Sequence, residues 1–206
     1  MTHPLRHRLM VLMASVGGLV IAGCEVSPRV SEPPEPLASM SWQESIAYSE
    51  AMVGFRAPDF TVNASQTGAP EFTLSEATAE GDVVVLAFWI RGCQSCTRDM
   101  PRLAELVEWT REEGLPVAVV AVHNVVHTSS ASSRLMPDET SIAEYADTID
   151  FYMEGAHDDF DSVYGVRSWP RIFVIDADGI ITHVKANSGI DLLAELKEQV
   201  EIAGAG

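Results

Sequence analysis

Two of the three cysteines in this chain, Cys93 and Cys96, stand two residues apart in "FWIRGCQSCTRDMP", residues 88–101. Thiols at that spacing can do one of three things: staple the chain, hold half of a metal site, or exchange electrons with another disulfide. A staple stabilises most when it closes a long loop, and this pair closes almost none. A metal site asks for two further Cys or His ligands. His123, His127, His157 and His183 offer imidazoles, but none forms a compact pair at ligand spacing. His123 and His183 read better as edge or core histidines, so no metal is expected.

Electron exchange needs the first sulfur at a particular place. A cysteine at a helix N-terminus faces unpaired backbone N–H groups and the positive end of the helix dipole, both of which favour a thiolate. Such placement lowers a thiol pKa from ~8.5 to roughly 3.5–7.5. A second cysteine three residues on falls almost one turn below, within disulfide reach. The outer sulfur can then attack a disulfide and the inner one can resolve the product. Cys93 and Cys96 are the expected outer and inner sulfurs, with the redox-active disulfide between them as the only prosthetic chemistry and no cofactor.

The surrounding pattern supplies a strand and a helix at the required junction. "DVVVLAFWI" (82–90) is a continuous valine-rich run, as expected of a central strand covered on both faces. From Gln94 to Glu113 the residues Met100, Leu103, Leu106 and Val107 fall at helical spacing, with Gly114 and Pro116 ending the helix. "PVAVVAVHN" (116–124) is a second buried strand. A helix over 138–149, a short strand over 150–153 and a helical turn over 158–165 follow. "RIFVIDADGIITHVKA" (171–186) reads as a hairpin with Gly179 suited to a positive φ, and 191–203 as an amphipathic helix. Ahead of the central strand, 41–52 reads as a short amphipathic helix, and 59–62 and 71–74 as two short strands. The predicted fold class is α/β, thioredoxin-like: a central mixed sheet flanked by helices, with an N-terminal β-extension.

The N-terminus has a different composition. Arg6 and Arg8 precede an uncharged run from Leu9 to Ala22, shorter than the roughly 20 residues a membrane-spanning helix needs. A charged start, a short apolar run and a small-residue end read as a secretory signal over 1–23. "IAGC", residues 21–24, resembles a bacterial lipoprotein box, which implies lipid on Cys24 and cleavage just before it. Residues 24–53 then serve as lipid attachment and tether, with Pro28, Pro33, Pro34 and Pro36 keeping the first part extended. The remaining residues, 54–206, form the folded domain. Cleavage would remove Arg6 and Arg8 and no acid, taking the formal charge from −17 to −19. Such a surface repels nucleic acid and anionic headgroups, so no nucleic-acid partner is expected.

Four blocks in order, "GFRAPDFTV", "VVVLAFWI", "CQSCTRDMPRLAEL" and "YGVRSWPRIFVIDADGII", resemble the membrane-tethered thioredoxin-like proteins of the TlpA/ResA type. These lie within the broader family of alkyl-hydroperoxide-reductase and thiol-specific-antioxidant proteins. The resemblance runs from about Gly54 to Ala203. It implies a nucleophile at Cys93, a resolving thiol at Cys96 and a helix-bending proline at Pro101. Asp99 falls where ResA-like proteins often place a buried glutamate that manages protons; read alone, Asp99 is equally an exposed helix acid. Pro170 matches the cis-proline that faces the cysteine pair, and Trp169 before it either stacks on that ring or walls the docking site.

Two departures bear on function. Gly92 stands where most relatives have tryptophan, which leaves Cys93 less shielded. The dipeptide Gln94-Ser95 replaces the Gly-Pro or Glu-Pro of reducing members and leaves the direction of electron flow open; both side chains could also donate to a thiolate. By resemblance the chain is an exported, lipid-anchored enzyme facing the periplasm or another extracytoplasmic space. It would reduce disulfides in client proteins there, as in cytochrome c maturation, and be recharged by a membrane electron donor. The rivals are a disulfide-introducing oxidase and a non-enzymatic copper-binding chaperone, although the latter wants Cys-x-x-x-Cys. A peroxidase would need Thr or Ser and Pro ahead of the cysteine, and "FWIRGC" lacks them. The long polar stretch 123–140 is either a docking surface or a plain insertion.

Overall fold

The computed structural model describes residues 40–63, 65, 67–124, 142–153 and 163–205. The expected signal segment 1–23, Cys24 and the proline-rich part of the tether lie outside them. So do His127, His157, most of the 123–140 stretch and most of the expected turn over 158–165. Among the described residues no helix is long and apolar enough to cross a membrane.

Five strands form the main sheet: β3 (Val83–Trp89), β4 (Val117–His123), β5 (Asp150–Met153), β6 (Arg171–Ile175) and β7 (Ile181–Lys185). Their order is β5-β4-β3-β6-β7. β3, β4 and β5 run parallel, and β6 and β7 antiparallel to their neighbours. All seven residues of β3 are buried, because each face of the strand meets a separate core. Val83, Val85, Ala87 and Trp89 point to one side, against α3 (Gln94–Glu113) and α4 (Leu192–Gly204). Val84, Leu86 and Phe88 point to the other, where Met52, Phe60, Val62 and Tyr164 pack. An unbroken apolar run is what period-two alternation looks like when both faces are dry. This is the thioredoxin-like arrangement: a mixed sheet covered by helices, with the hairpin β1 (Thr61–Val62) and β2 (Phe72–Thr73) as its N-terminal extension.

Two local expectations differ from what forms. The strand expected over 71–74 stops at Thr73, and Leu74 opens a helix, α2 (Leu74–Ala79). Leu74 and Ala77, one helical turn apart, bury one face of α2, whereas the hairpin pairs only two residues on each strand. Of the helix expected over 138–149, Ile142 is helical, Ala143–Tyr145 form a 3₁₀ turn and 146–149 are turn and bend, while 138–141 lie outside the described residues. Thr148 and Ile149 both donate backbone N–H to the Tyr145 carbonyl, turning the chain out of helical structure and into β5.

Helix α1 (Trp42–Ala51) begins with a capping box in which the Ser41 side chain and Glu44 satisfy each other's backbone donors. Its buried serines tie it to the segment that leads into the site. Ser45 Oγ donates to the Gly165 carbonyl at 2.5 Å and accepts from the Arg167 N–H at 3.0 Å, while Ser49 Oγ donates to the Tyr164 carbonyl at 3.1 Å. Gly165 has φ +64, and a Cβ there would stand 2.2 Å from the Tyr48 ring. Gly165→Ala is therefore expected to cost about 1–3 kcal/mol from overpacking alone. Chemical denaturation should show the loss, and a smaller side chain at Tyr48 should recover part of it.

Candidate active site

The site begins where β3 leaves the sheet. Cys93 N–H bonds back to the Ile90 carbonyl at 3.3 Å, closing a turn over 90–93. Gly92 occupies its third position with φ +75, the left-handed conformation that a turn of the type II kind demands there. A tryptophan at that position would have to adopt a conformation L side chains rarely take. Cys93 is then the N-cap of α3, in extended backbone, and its Sγ accepts the Cys96 N–H at 3.1 Å. The two cysteines form a disulfide with Cα atoms 5.2 Å apart. Cys96 is 1% exposed and sits in the core beneath the helix, whereas Cys93 is half-buried at its tip. That asymmetry separates an attackable sulfur from a protected one.

The first turns of α3 carry the remaining predicted groups. Gln94 is exposed, and Ser95 Oγ lies 3.6 Å from Cys93 Sγ. Pro101 lies inside the helix and has no N–H to give to the Thr97 carbonyl. Asp99 is 2% exposed, which decides against the solvated helix acid. Its Oδ1 accepts a hydrogen bond from Ser188 Oγ, and Arg102 lies 3.7 Å away. Oδ2 is buried without a partner among the described residues. Burial pushes the Asp99 carboxyl above its usual range, and the Ser188 bond and the charges of Arg102, Arg98 and Lys185 pull it back only in part. Ser188 also lies 3.4 Å from the Ser95 carbonyl, so one hydroxyl joins the acid to the turn that carries the cysteines.

The opposite wall comes from the approach to β6. The β3–β6 register pairs Phe88 with Arg171, so Pro170 and Trp169 stand at the same sheet edge as Trp89 and Ile90. The Trp169–Pro170 peptide bond is cis. Trp169 is half-buried and packs on both cores, and its Nε1–H donates to Asn124 Oδ1 at 2.8 Å. Arg171 is fully buried on the α1 side of the sheet; its Nη2 donates to Ser168 Oγ at 2.7 Å, and burial lowers its pKa to about 10. It remains a cation at neutral pH, with Nε and Nη1 unpartnered among the described residues.

His123, the last residue of β4, is 2% exposed. Its Nε2 accepts the Arg91 backbone N–H at 3.0 Å, and its ring meets Trp89 edge to face at 4.9 Å. Burial lowers its pKa to about 4, so the imidazole is neutral and can accept. It is thus a core histidine with a specific bond to the active-site turn.

Among the described residues no group of His, Cys, Asp and Glu is arranged to hold a metal ion. Cys93, Cys96, Gln94, Ser95, Gly92 and Asp99 gather on the turn and first helix turns, and Trp169 and Pro170 close the same sheet edge. Ser188 and the His123–Asn124 pair were not anticipated as site residues. Ser188 sits in a polar loop whose pairing with Asp99, 89 residues earlier, leaves no local pattern. His123 and Asn124 had one available signal, their position at the C-terminal end of a parallel strand, where sites gather in open α/β sheets.

Residues 53–184 match the AhpC/TSA family. Thiol-disulfide oxidoreductase ResA of Oceanobacillus iheyensis is 23% identical over 135 residues, covering 64% of this chain and 64% of that protein's own length. The thioredoxin domain of a thiol-disulfide oxidoreductase of Bacteroides vulgatus superposes with a TM-score of 0.56 at 21% identity, covering 72% of this chain and 97% of that one. The exposed lipoprotein thioredoxin of Streptococcus pneumoniae does so with a TM-score of 0.53 at 20% identity, covering 70% and 99%. The two structures share the fold with this chain. The family match extends from just after α1 into β7, across the cysteine turn and the cis-proline, and the chain belongs to the AhpC/TSA family.

Proposed function

We propose that this protein is an exported, membrane-tethered thiol:disulfide oxidoreductase that reduces disulfides in extracytoplasmic client proteins. The observation that carries the reading is the Cys93–Cys96 disulfide at the N-terminus of α3, with one sulfur half-exposed and the other buried. In the reduced protein the Cys93 thiolate attacks a client disulfide, forming a Cys93–client bond and releasing the client's other sulfur as thiolate. Cys96, deprotonated, then attacks Cys93 Sγ; the Cys93–Cys96 disulfide forms and the second client thiolate leaves. Two electrons pass to the client, and a membrane donor returns two to the protein.

Each neighbour has a part in this. The Cys96 N–H and the helix N-terminus stabilise negative charge on Cys93. Asp99, buried and held high by that burial, takes the Cys96 proton during resolution. Pro170 and the backbone of Trp169 receive the client chain beside the sulfurs, and the indole limits what docks. Gly92 keeps the approach to Cys93 open, and Gln94 and Ser95 flank it. The N-terminal pattern ending at Cys24 supports lipid attachment, and the proline-rich stretch a tether. The chemistry suits clients whose cysteines must be kept reduced outside the cytoplasm, as apocytochrome c cysteines must.

The test is the reduction potential of the pair in the soluble fragment from Glu25 onward, by equilibration with glutathione and stronger dithiols. A value near roughly −270 mV is expected of a reductant. A value near roughly −120 mV would reverse the direction and make the protein an oxidase. The absence of a reversible two-electron titration would remove the enzyme reading altogether.

A further inference from the structure

The two walls of the site meet at two consecutive residues. At the end of β4 the Asn124 N–H bonds to the Trp89 carbonyl at 2.9 Å, the last backbone rung between β4 and β3. Two residues along the departing chain, the Arg91 N–H goes instead to a side chain, His123 Nε2 at 3.0 Å. One residue on, the Asn124 side chain turns to the other wall and takes the Trp169 indole N–H at 2.8 Å. His123 and Asn124 are 2% and 1% exposed, so neither side chain has water to fall back on. We propose that His123 and Asn124 are the positioning residues of this site, His123 setting the turn that presents Cys93 and Asn124 fixing the indole before Pro170. The inference rests on the reading of Cys93–Cys96 as an exchange pair and assigns the two walls to separate controls.

The physical reason lies in where the sheet ends. Backbone ladder bonds hold β3 and β4 in register only as far as Trp89 and His123. Beyond them the turn over 90–93 has one internal bond of 3.3 Å and the cap of Cys93 on α3. The neutral imidazole supplies the tie that the ladder no longer gives, and the edge-to-face contact with Trp89 restricts its rotation. On the other side Trp169 precedes a proline, which has no N–H to offer the sheet. The indole bond to Asn124 is then what sets its tilt over the site.

The two residues therefore predict different kinetic signatures. His123→Leu removes the acceptor and leaves the turn free to shift relative to the helix N-terminus. The thiolate of Cys93 loses part of its stabilisation, so its pKa rises. The equilibrium with glutathione moves toward the disulfide by about three- to tenfold, a fraction of what an unpaired buried group is worth. His123→Gln, whose amide oxygen can accept the same N–H, restores most of it. Asn124→Leu frees the indole and is expected to raise KM for insulin as a disulfide substrate by about threefold or more, with the glutathione equilibrium and the thiolate titration unchanged. Asn124→Asp keeps an acceptor for the indole and restores KM.

All four variants and the wild type are measured for thiolate absorbance against pH, glutathione equilibrium, insulin-reduction kinetics and thermal unfolding. Trp169→Phe serves as the second route to the Asn124 result, since it removes the indole N–H donor together with part of the half-buried ring. Should either leucine variant fail to fold, the comparison of His123→Gln with His123→Phe, and of Trp169→Phe with wild type, carries the test. A His123 variant without an acceptor that titrates and equilibrates as wild type overturns the role of His123. Unchanged KM in both Asn124→Leu and Trp169→Phe overturns that of Asn124. A wild type that exchanges no electrons with glutathione defeats the underlying redox reading, a result distinct from either.

Discussion

Cys93→Ser is expected to abolish disulfide exchange, lowering the rate by at least about three orders of magnitude, whereas Cys96→Ser is expected to stop the reaction halfway. The difference comes from burial and order. Cys93 caps α3 at the surface, where its sulfur can reach a client and the Cys96 N–H can stabilise its charge. A serine hydroxyl at that place stays protonated at neutral pH and is no nucleophile toward sulfur. Cys96 is 1% exposed and can reach only the sulfur above it. With serine at 96 the mixed disulfide forms and persists, detectable by mass spectrometry as a covalent adduct with insulin chains. The rate of adduct formation should rise with pH as the Cys93 thiol ionises, because the thiolate is the attacking species. Equal adduct formation by both single variants would mean that the pair does not act in this order.

Asp99→Asn is expected to move stability and activity in opposite directions. Unfolded, Asp99 titrates near 3.8; folded, its pKa is raised, chiefly by burial. Between those two values the native state keeps a proton that the unfolded chain has lost, so stability falls as pH rises through the window and stays level above it. Asparagine cannot ionise, and its Oδ1 can still accept from Ser188. At pH 7 the variant should be more stable by about 1 kcal/mol, the scale of a buried group left unpaired. For a chain of this size that corresponds to roughly 2–4 °C in Tm. Below the unfolded value the advantage disappears. Resolution of the mixed disulfide should meanwhile slow on the order of 10²-fold, the contribution of one general base. Stopped-flow measurement of the second step against pH, alongside unfolding at pH 3 and 7, checks both halves. A variant as fast as wild type would leave Asp99 a buried acid with no part in proton transfer.

The opposition has a structural source. A fold selected only for stability would not bury a carboxylate with one oxygen unpartnered among the described residues. Groups of this kind gather at functional sites because the same desolvation that weakens the fold moves a pKa toward the working pH. Arg171, fully buried behind Pro170 with Nε and Nη1 unpartnered among the described residues, carries a similar cost on the other side of the sheet. Its bond to Ser168 ties that cost to the segment preceding the cis-proline.

How much of this was legible beforehand depends on how far along the chain each signal reaches. Helix α3 was readable to its ends, since Met100, Leu103 and Leu106 repeat at 3.6 and Gly114 stops it. β3 was readable as a doubly covered strand from composition alone, as was the hairpin of β6 and β7. The Cys93–Cys96 pair needed only a strand, a helix and the spacing between them, all within about thirty residues. Where local signals competed, the boundary was misplaced: "EFTL" holds the strand Phe72–Thr73, yet Leu74 turned inward and began α2.

The fold class, the position of the redox pair on a helix cap and the acidic character of the chain were thus determined by the sequence itself, because each follows from residues that are neighbours in the chain. Tertiary structure alone decided that Asp99 is buried and bonded to Ser188, that His123 holds the Arg91 amide, and that Asn124 holds Trp169. Those contacts join residues 89, 32 and 45 positions apart. No periodicity or propensity records such pairings; they arise when the sheet sets its register and brings separate strand ends to one edge.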